Sequence, residues 1–140
     1  MKKHISKIYI FGNQILDFDN TPILLQAELE KIFPTINFIH QDPNENLSLE
    51  NNELVLIDTV EGINEVKILT DIDKIQIEKK YSMHDFDLGF NLRLLHKIGK
   101  LKKITIFCVP MKIKKQAALK QLVEKIKKLY PINFQKMRST

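Results

Sequence analysis

A short apolar run that stops at a glycine and leads into acidic residues is the feature that most constrains the fold of this chain. The run covers residues 8–11 (Ile-Tyr-Ile-Phe), and Gly12 ends it ahead of Asp17 and Asp19. Continuous β-branched and aromatic residues bounded by turn residues are typical of a buried parallel strand. In open α/β sheets, ligands bind beyond the carboxyl ends of such strands. The two carboxylates are therefore predicted to lie at the ligand-binding edge of a sheet.

Further apolar runs have the length and composition of strands, and three segments show apolar residues at helical spacing. The strongest of these runs ends on a carboxylate, Asp58. A proline and a Ser-x-x-Asp capping box mark two helix starts, and a proline and a glycine mark the two helix ends. The predicted strands cover residues 8–11, 37–40, 54–58, 66–69 and 104–109, and the predicted helices run from Thr21 to Pro34, from Ser82 to Gly99 and over residues 119–130.

Strands and helices alternate along the chain, so the pattern predicts an α/β fold with a single domain over residues 1–140. We expect a three-layer α/β/α sandwich around a mostly parallel five-stranded sheet, in which one strand can run antiparallel. If the second strand turns outward from the first, the first and third strands are neighbours. A crevice then opens between their carboxyl ends.

Charge and apolar content exclude several classes of protein. No apolar run approaches the roughly 20 residues of a membrane-spanning helix, and the basic N-terminus leads into a strand without a signal-peptide core. We therefore expect a cytoplasmic protein that does not bind membranes. The net charge is +5, but few aromatic residues lie among the lysines of residues 97–128. This favours a solvated helix face or an acidic protein partner over nucleic acid. The single cysteine, Cys108, is predicted to be a buried, unreactive thiol.

Three residues that can ligate a metal are predicted at one edge of the sheet. Asp19 follows the first strand, Asp58 ends the third, and His84 lies in the first turn of the capped helix. The positive end of a helix dipole disfavours the imidazolium form, which leaves the ring neutral and able to bind a metal. Two carboxylates and an imidazole suit a divalent transition metal with open coordination positions. The pattern also permits structural roles, with the aspartates as caps and the histidine facing solvent.

The order of these residues resembles the hydrogenase maturation endopeptidases. These are nickel-dependent proteases that remove the C-terminal tail of the large subunit of nickel–iron hydrogenases. The likeness covers roughly residues 5–130. It consists of Gly12-Asn13 with Asp19 six positions after the asparagine, a strand ending in Asp58-Thr59, Ser82-Met83-His84 before a leucine-rich segment, and Val109-Pro110 at the end of the last strand.

The resemblance implies a metal-dependent endopeptidase in which Asp19, Asp58 and His84 are catalytic and contact nickel. The nickel arrives with the substrate, a large-subunit precursor that is already loaded, and other divalent metals can occupy the same ligands. Cleavage then proceeds through polarisation of a carbonyl or activation of a water. Asn13 and Asp42 are assigned to substrate contact, and we expect a monomer.

The chain departs from the family pattern around the predicted substrate groove. Phe18 and Pro22 replace an acidic residue and a glycine, the loop that contains Pro43 is shortened, and residues 111–115 (Met-Lys-Ile-Lys-Lys) replace a segment that contains glycine. These changes leave open a non-catalytic homologue that binds the hydrogenase precursor as an assembly chaperone.

A receiver-like signalling domain is a third interpretation. It uses Asp58 as a phosphoacceptor and Lys112 as the lysine after the last strand. A receiver also needs acidic residues directly after the first strand, where residues 12–16 intervene. This interpretation is therefore the least favoured of the three.

Overall fold

The computed structural model describes residues 5–11, 21–40, 52–70, 82–83, 97 and 99–131. The strands in these residues are β1 (Lys7–Ile10), β2 (Asn37–His40), β3 (Glu53–Glu61), β4 (Lys67–Leu69), β5 (Ser82–Met83) and β6 (Lys103–Pro110). The described helices are α1 (Thr21–Ile32) and α2 (Lys115–Leu129). Each of the five predicted strands is present, and the first and last predicted helices are confirmed.

The described strands form one mixed sheet of order β2-β1-β3-β6-β4, and β5 pairs with β3 off this path. The β1–β2, β1–β3 and β3–β6 pairs are parallel, while β4 runs antiparallel to β6 and β5 antiparallel to β3. The predicted α/β class and mostly parallel sheet are confirmed. The predicted contact between the first and third strands is also confirmed, because β1 lies between β2 and β3.

Both described helices pack on the same face of the sheet. Apolar residues four apart make one side of each helix apolar, so Leu25 and Leu29 of α1 are buried together with Leu122 and Ile126 of α2. The rings of Phe33 and Phe38 tie the end of α1 to β2, with centroids 6.3 Å apart. We call this group of buried residues the helix-side cluster; its strand members are Ile8, Ile10, Phe38, Val55, Ile57, Phe107 and Val109.

The other face of the sheet carries a second apolar cluster, which we call the opposite-face cluster. Its members alternate along the strands with those of the helix-side cluster, as side chains on a pleated sheet must. It contains Tyr9, Phe11, Leu54, Leu56, Val60, Ile63, Leu101, Ile104, Ile106 and Cys108. Central strands with both faces buried explain the nearly continuous apolar runs that marked them in the sequence.

The predicted helix that was to begin at Ser82 is corrected at its start. Ser82 and Met83 are extended and pair with Glu61 and Val60, so no helix begins at Ser82. Residues 84–96 of that prediction lie outside the described residues, and the third layer therefore stays a prediction. Lys97 is helical and Gly99 has φ 80°, the left-handed conformation usual for a glycine that follows a helix.

The start of β3 is held by a residue in the left-handed region. Asn52 has φ 61°, which asparagine adopts more readily than most residues. Its side-chain amide donates to the carbonyl of Lys100 at 2.9 Å, and its own carbonyl accepts from the backbone N–H of Lys102 at 2.8 Å. These bonds fix where β3 begins relative to β6.

No helix in the described part of the chain has the length and apolarity needed to cross a membrane.

Candidate functional site

Asp58 lies inside β3 rather than at its end. The apolar run predicted a strand that stops at residue 58 and a loop from Thr59 to Asn64. That boundary is wrong, because β3 continues to Glu61 and pairs with β6 through Val60. Pairing with a neighbouring strand holds the backbone extended even though a carboxylate interrupts the apolar run.

The Asp58 side chain belongs to the opposite face of the sheet. Alternation along β3 places it on the same face as Leu56 and Val60, and its partner in the parallel pairing is Cys108. Asp58 is fully buried, at 0% exposure. A carboxylate in such surroundings is costly unless polar groups or a cation compensate it, which makes it a candidate functional group on physical grounds.

The pKa of the Cys108 thiol depends on the charge of this aspartate. Burial raises the pKa of the Cys108 thiol, and the negative charge of Asp58 raises it further, to about 12. The thiol is 1% exposed, and its sulfur lies 3.8 Å from the carbonyl oxygen of Ile106. The predicted burial of the cysteine is confirmed. A raised pKa keeps the thiol protonated near neutral pH, which agrees with the low reactivity predicted for it.

Two described strands flank Asp58 on one side of β3. Because β6 occupies the other side of β3 as far as Val60, both β1 and β5 must pair along this side. The pairing with β1 ends at Ile57, whose carbonyl accepts from the N–H of Phe11 at 3.0 Å, and the pairing with β5 covers residues 60–61. Residues 58–59 therefore lie between the end of β1 and β5.

Both flanking strands lead directly into segments that carry other candidate residues. Phe11 immediately precedes Gly12-Asn13, and Met83 immediately precedes His84. The described residues Phe11 and Met83, which precede these two segments in the chain, thus lie at the same stretch of β3 as Asp58. The position is the switch point between β2-β1 and β3, where ligands bind in α/β sheets.

Thr59 is a polar residue of this site for which the sequence predicted no functional role. Its hydroxyl is buried and has no hydrogen-bond partner among the described residues. Thr59 pairs with Val109 of the helix-side cluster, so the hydroxyl lies on the face opposite to Asp58. A buried hydroxyl without a partner is uncommon and marks places where a ligand or a conformational change is involved. No local signal in the sequence separates Thr59 from an ordinary strand threonine.

The remaining predicted site residues lie outside the described residues. These are Asn13, Asp19, Asp42 and His84; Asp17, predicted at the same edge of the sheet, also lies outside the described residues. Within the described ranges, no group of three or more His, Cys, Asp or Glu residues could hold a metal ion. The three-residue nickel site therefore stays a prediction, of which the structure describes Asp58.

The sheet order bears on the receiver-like interpretation. Receiver folds have strand order 2-1-3-4-5 in an all-parallel sheet. In this sheet the last strand in the chain, β6, lies next to β3, and the earlier strand β4 lies outside it. In addition, β4 runs antiparallel to β6. A phosphoacceptor also has to meet its phosphodonor, whereas Asp58 is fully buried. Both observations speak against a receiver.

Comparisons of the chain with protein-family models, curated proteins and solved structures gave no match.

Proposed function

We propose that this protein is a nickel-dependent endopeptidase that removes the C-terminal peptide of a nickel–iron hydrogenase large-subunit precursor after nickel insertion. One observation carries the proposal: β1 and β5, which lead into the segments of Asp19 and His84, flank the buried carboxylate of Asp58. The sheet has four parallel strands and one antiparallel strand along its main path among the described residues, in agreement with the mostly parallel sheet predicted from the alternation of strands and helices.

In this proposal Asp19, Asp58 and His84 bind the nickel that the precursor carries. Ionised carboxylates and a neutral imidazole are the forms that bind a divalent metal. Held by these three residues, the nickel would supply a Lewis acid able to polarise the scissile carbonyl or activate a water. In the same proposal Asn13 and Asp42 contact the substrate.

The burial of Asp58 adds a requirement. Because nickel arrives with a protein substrate, the carboxylate has to become accessible when the precursor binds. The free enzyme would then bind nickel weakly on its own and would gain affinity only in the complex. The enzyme would then bind loaded precursor more tightly than unloaded precursor. Only the loaded form brings a cation that balances the negative charge of the exposed carboxylates.

Cleavage of nickel-loaded precursor tests the proposal. Purified protein is incubated with loaded and with unloaded precursor, and tail removal is measured by mass spectrometry. We expect removal from the loaded form alone, and loss of activity of at least about 100-fold in Asp58→Asn and Asp19→Ala. Asp17→Ala is the matched control, since it removes a carboxylate from the same segment outside the proposed ligand set. Equal cleavage by wild type, Asp58→Asn and Asp19→Ala would end the proposal.

A second function is favoured by one observation, the complete burial of Asp58. If the carboxylate stays buried in the complex, the protein binds the precursor as a non-catalytic assembly chaperone. Stable capture of the precursor in a pull-down, without tail removal under any metal condition, would establish this function. In either case we propose that the protein acts in the cytoplasm as a monomer.

A further inference from the structure

The hydroxyl of Thr59 is buried without a hydrogen bond at the point where β3 passes the candidate site. The side chain is 0% exposed, and its oxygen has no hydrogen-bond partner among the described residues. It lies on the helix side of the sheet, where its neighbour on β6 is Val109 of the helix-side cluster. A buried hydroxyl without a hydrogen bond destabilises the state in which it is buried.

A second buried threonine on the same face provides a comparison. Thr105 of β6 pairs with Val55 of the helix-side cluster and is 5% exposed. Its side chain is hydrogen-bonded to Tyr130, which follows α2. A buried threonine hydroxyl on this face can therefore be satisfied by the packed helix. In the described part of the chain, Thr59 has no equivalent of Tyr130.

Thr59 lies in a stretch of β3 that is flanked by two separate strand pairings. Among the described residues, the pairing with β1 ends at Ile57 and the pairing with β5 begins at Val60. Thr59 directly follows Asp58, and alternation along the strand places the two side chains on opposite faces of the sheet. Residues 58–59 thus carry a buried hydroxyl next to the carboxylate that has to become accessible in the proposed function. A local movement of the backbone that exposes the carboxylate also changes the surroundings of the hydroxyl.

We propose that Thr59 is a positioning residue that favours opening of the site. This inference rests on the proposed function, because the opening is the exposure of Asp58 to the nickel-loaded precursor. In the closed state no described residue satisfies the hydroxyl, whereas in the open state it can bond to water or to a group of the precursor. The hydroxyl thereby makes the closed state less favourable relative to the open state. Removing it reduces the fraction of open molecules and the apparent affinity for the precursor.

Three variants separate this role from a structural one. Thr59→Val removes the hydroxyl and keeps the shape of the side chain, while Thr59→Ser keeps the hydroxyl. Thr105→Val is the matched control, because it removes a hydroxyl that has a partner from the same face of the sheet. We expect the midpoint of thermal unfolding to stay equal or rise in Thr59→Val and to fall in Thr105→Val. A lower midpoint in Thr59→Val would show that the hydroxyl stabilises the closed state and would overturn the proposal.

Amide hydrogen exchange of the free protein measures the opening itself. After correction for intrinsic exchange rates, we expect the amides of residues 58 and 59 to exchange about tenfold more slowly in Thr59→Val than in wild type. In Thr59→Ser and Thr105→Val the rates should stay within about threefold of wild type, since neither change removes the hydroxyl at position 59. Equal exchange in wild type and Thr59→Val would contradict the proposed role of this hydroxyl.

Kinetics with the nickel-loaded precursor separate this inference from the proposed function. For Thr59→Val we expect a KM about tenfold higher with kcat within about twofold of wild type, because fewer free molecules are open while the cleavage residues are unchanged. Thr59→Ser and Thr105→Val should keep KM within about threefold of wild type.

Two outcomes tell the hypotheses apart. If the wild type cleaves and Thr59→Val has an unchanged KM, the endopeptidase stands and the role of Thr59 is overturned. If the wild type removes no tail, but Thr59→Val binds loaded precursor about tenfold more weakly and its amides exchange more slowly, the endopeptidase fails and the role of Thr59 stands.

Discussion

Asp58 and Cys108 are partners in the pairing of β3 with β6, and both side chains are buried on the same face of the sheet. Burial is the larger cause of the raised pKa of the thiol, and the negative charge of the aspartate is the second. Since the chain contains one cysteine, the thiol is an internal reporter of the charge on the candidate site residue.

Replacing Asp58 with asparagine is expected to lower the pKa of Cys108. The negative charge that disfavours the thiolate is gone, while burial, the larger cause, keeps the pKa above its ordinary value of 9.0. The ultraviolet absorbance of the thiolate, followed against pH in the folded protein, measures the shift. Cys108→Ala supplies the baseline for tyrosine absorbance. An unchanged pKa would mean that Asp58 carries no charge at alkaline pH.

The stability of the protein should fall as pH rises from about 9 to about 12. In this interval the unfolded chain loses the thiol proton near the ordinary pKa of 9.0, while the folded chain keeps it up to about 12. The folded state then binds more protons than the unfolded state. The free energy of unfolding therefore decreases by up to about 1.4 kcal/mol per pH unit in this interval. Urea denaturation at a series of alkaline pH values measures it. Cys108→Ala should show a shallower decline, and identical slopes would contradict the prediction.

A capping residue at position 114 should stabilise α2. The backbone of Lys114 already has the extended conformation of an N-cap. In Lys114→Asn, the side-chain oxygen can accept from an N–H of the first turn, which adds about 1 kcal/mol to the free energy of unfolding. Lys114→Ala removes the charge without providing a cap and should gain less. Equal stabilities of the asparagine and alanine variants in urea denaturation would show that capping is not the cause.

The apolar side of α2 should contribute more to stability than any exposed position of the helix. Leu122 is fully buried in the helix-side cluster. Leu122→Ala leaves a cavity and is expected to lower the free energy of unfolding by about 2–5 kcal/mol. Lys120→Ala, at an exposed position of the same helix, should change it by less than about 0.5 kcal/mol. Thermal and urea denaturation of both variants measure the difference.

The strands could be predicted because their side chains are buried on both faces. Ile8 and Ile57 belong to apolar runs that are recognisable without knowledge of the partner strand. The contact between β1 and β3 could be predicted as well, from the rule that the second strand turns outward. The strands could be predicted from local sequence alone, whereas their adjacency followed from a general rule of α/β topology.

The end of β3 and the helix start at Ser82 were predicted wrongly, and both errors have the same physical cause. β3 continues beyond Asp58 because β6 pairs with it, and Ser82 is extended because it pairs with Glu61. In both cases a local signal, a carboxylate or a Ser-x-x-Asp box, is overridden by hydrogen bonds to residues far away in sequence. The neighbourhood of Asp58 and Cys108 could not be predicted for the same reason, since the register between strands is not encoded locally.

The long pairing between β3 and β6 has a consequence for how the chain folds. Residues 58 and 108, fifty positions apart, have to meet before this part of the sheet exists. Closing so long a loop costs entropy that local contacts do not repay, so folding should be slow compared with that of a small helical bundle. Until β6 arrives, one side of β3 has unpaired backbone groups, and during that interval the nascent protein is most prone to aggregate.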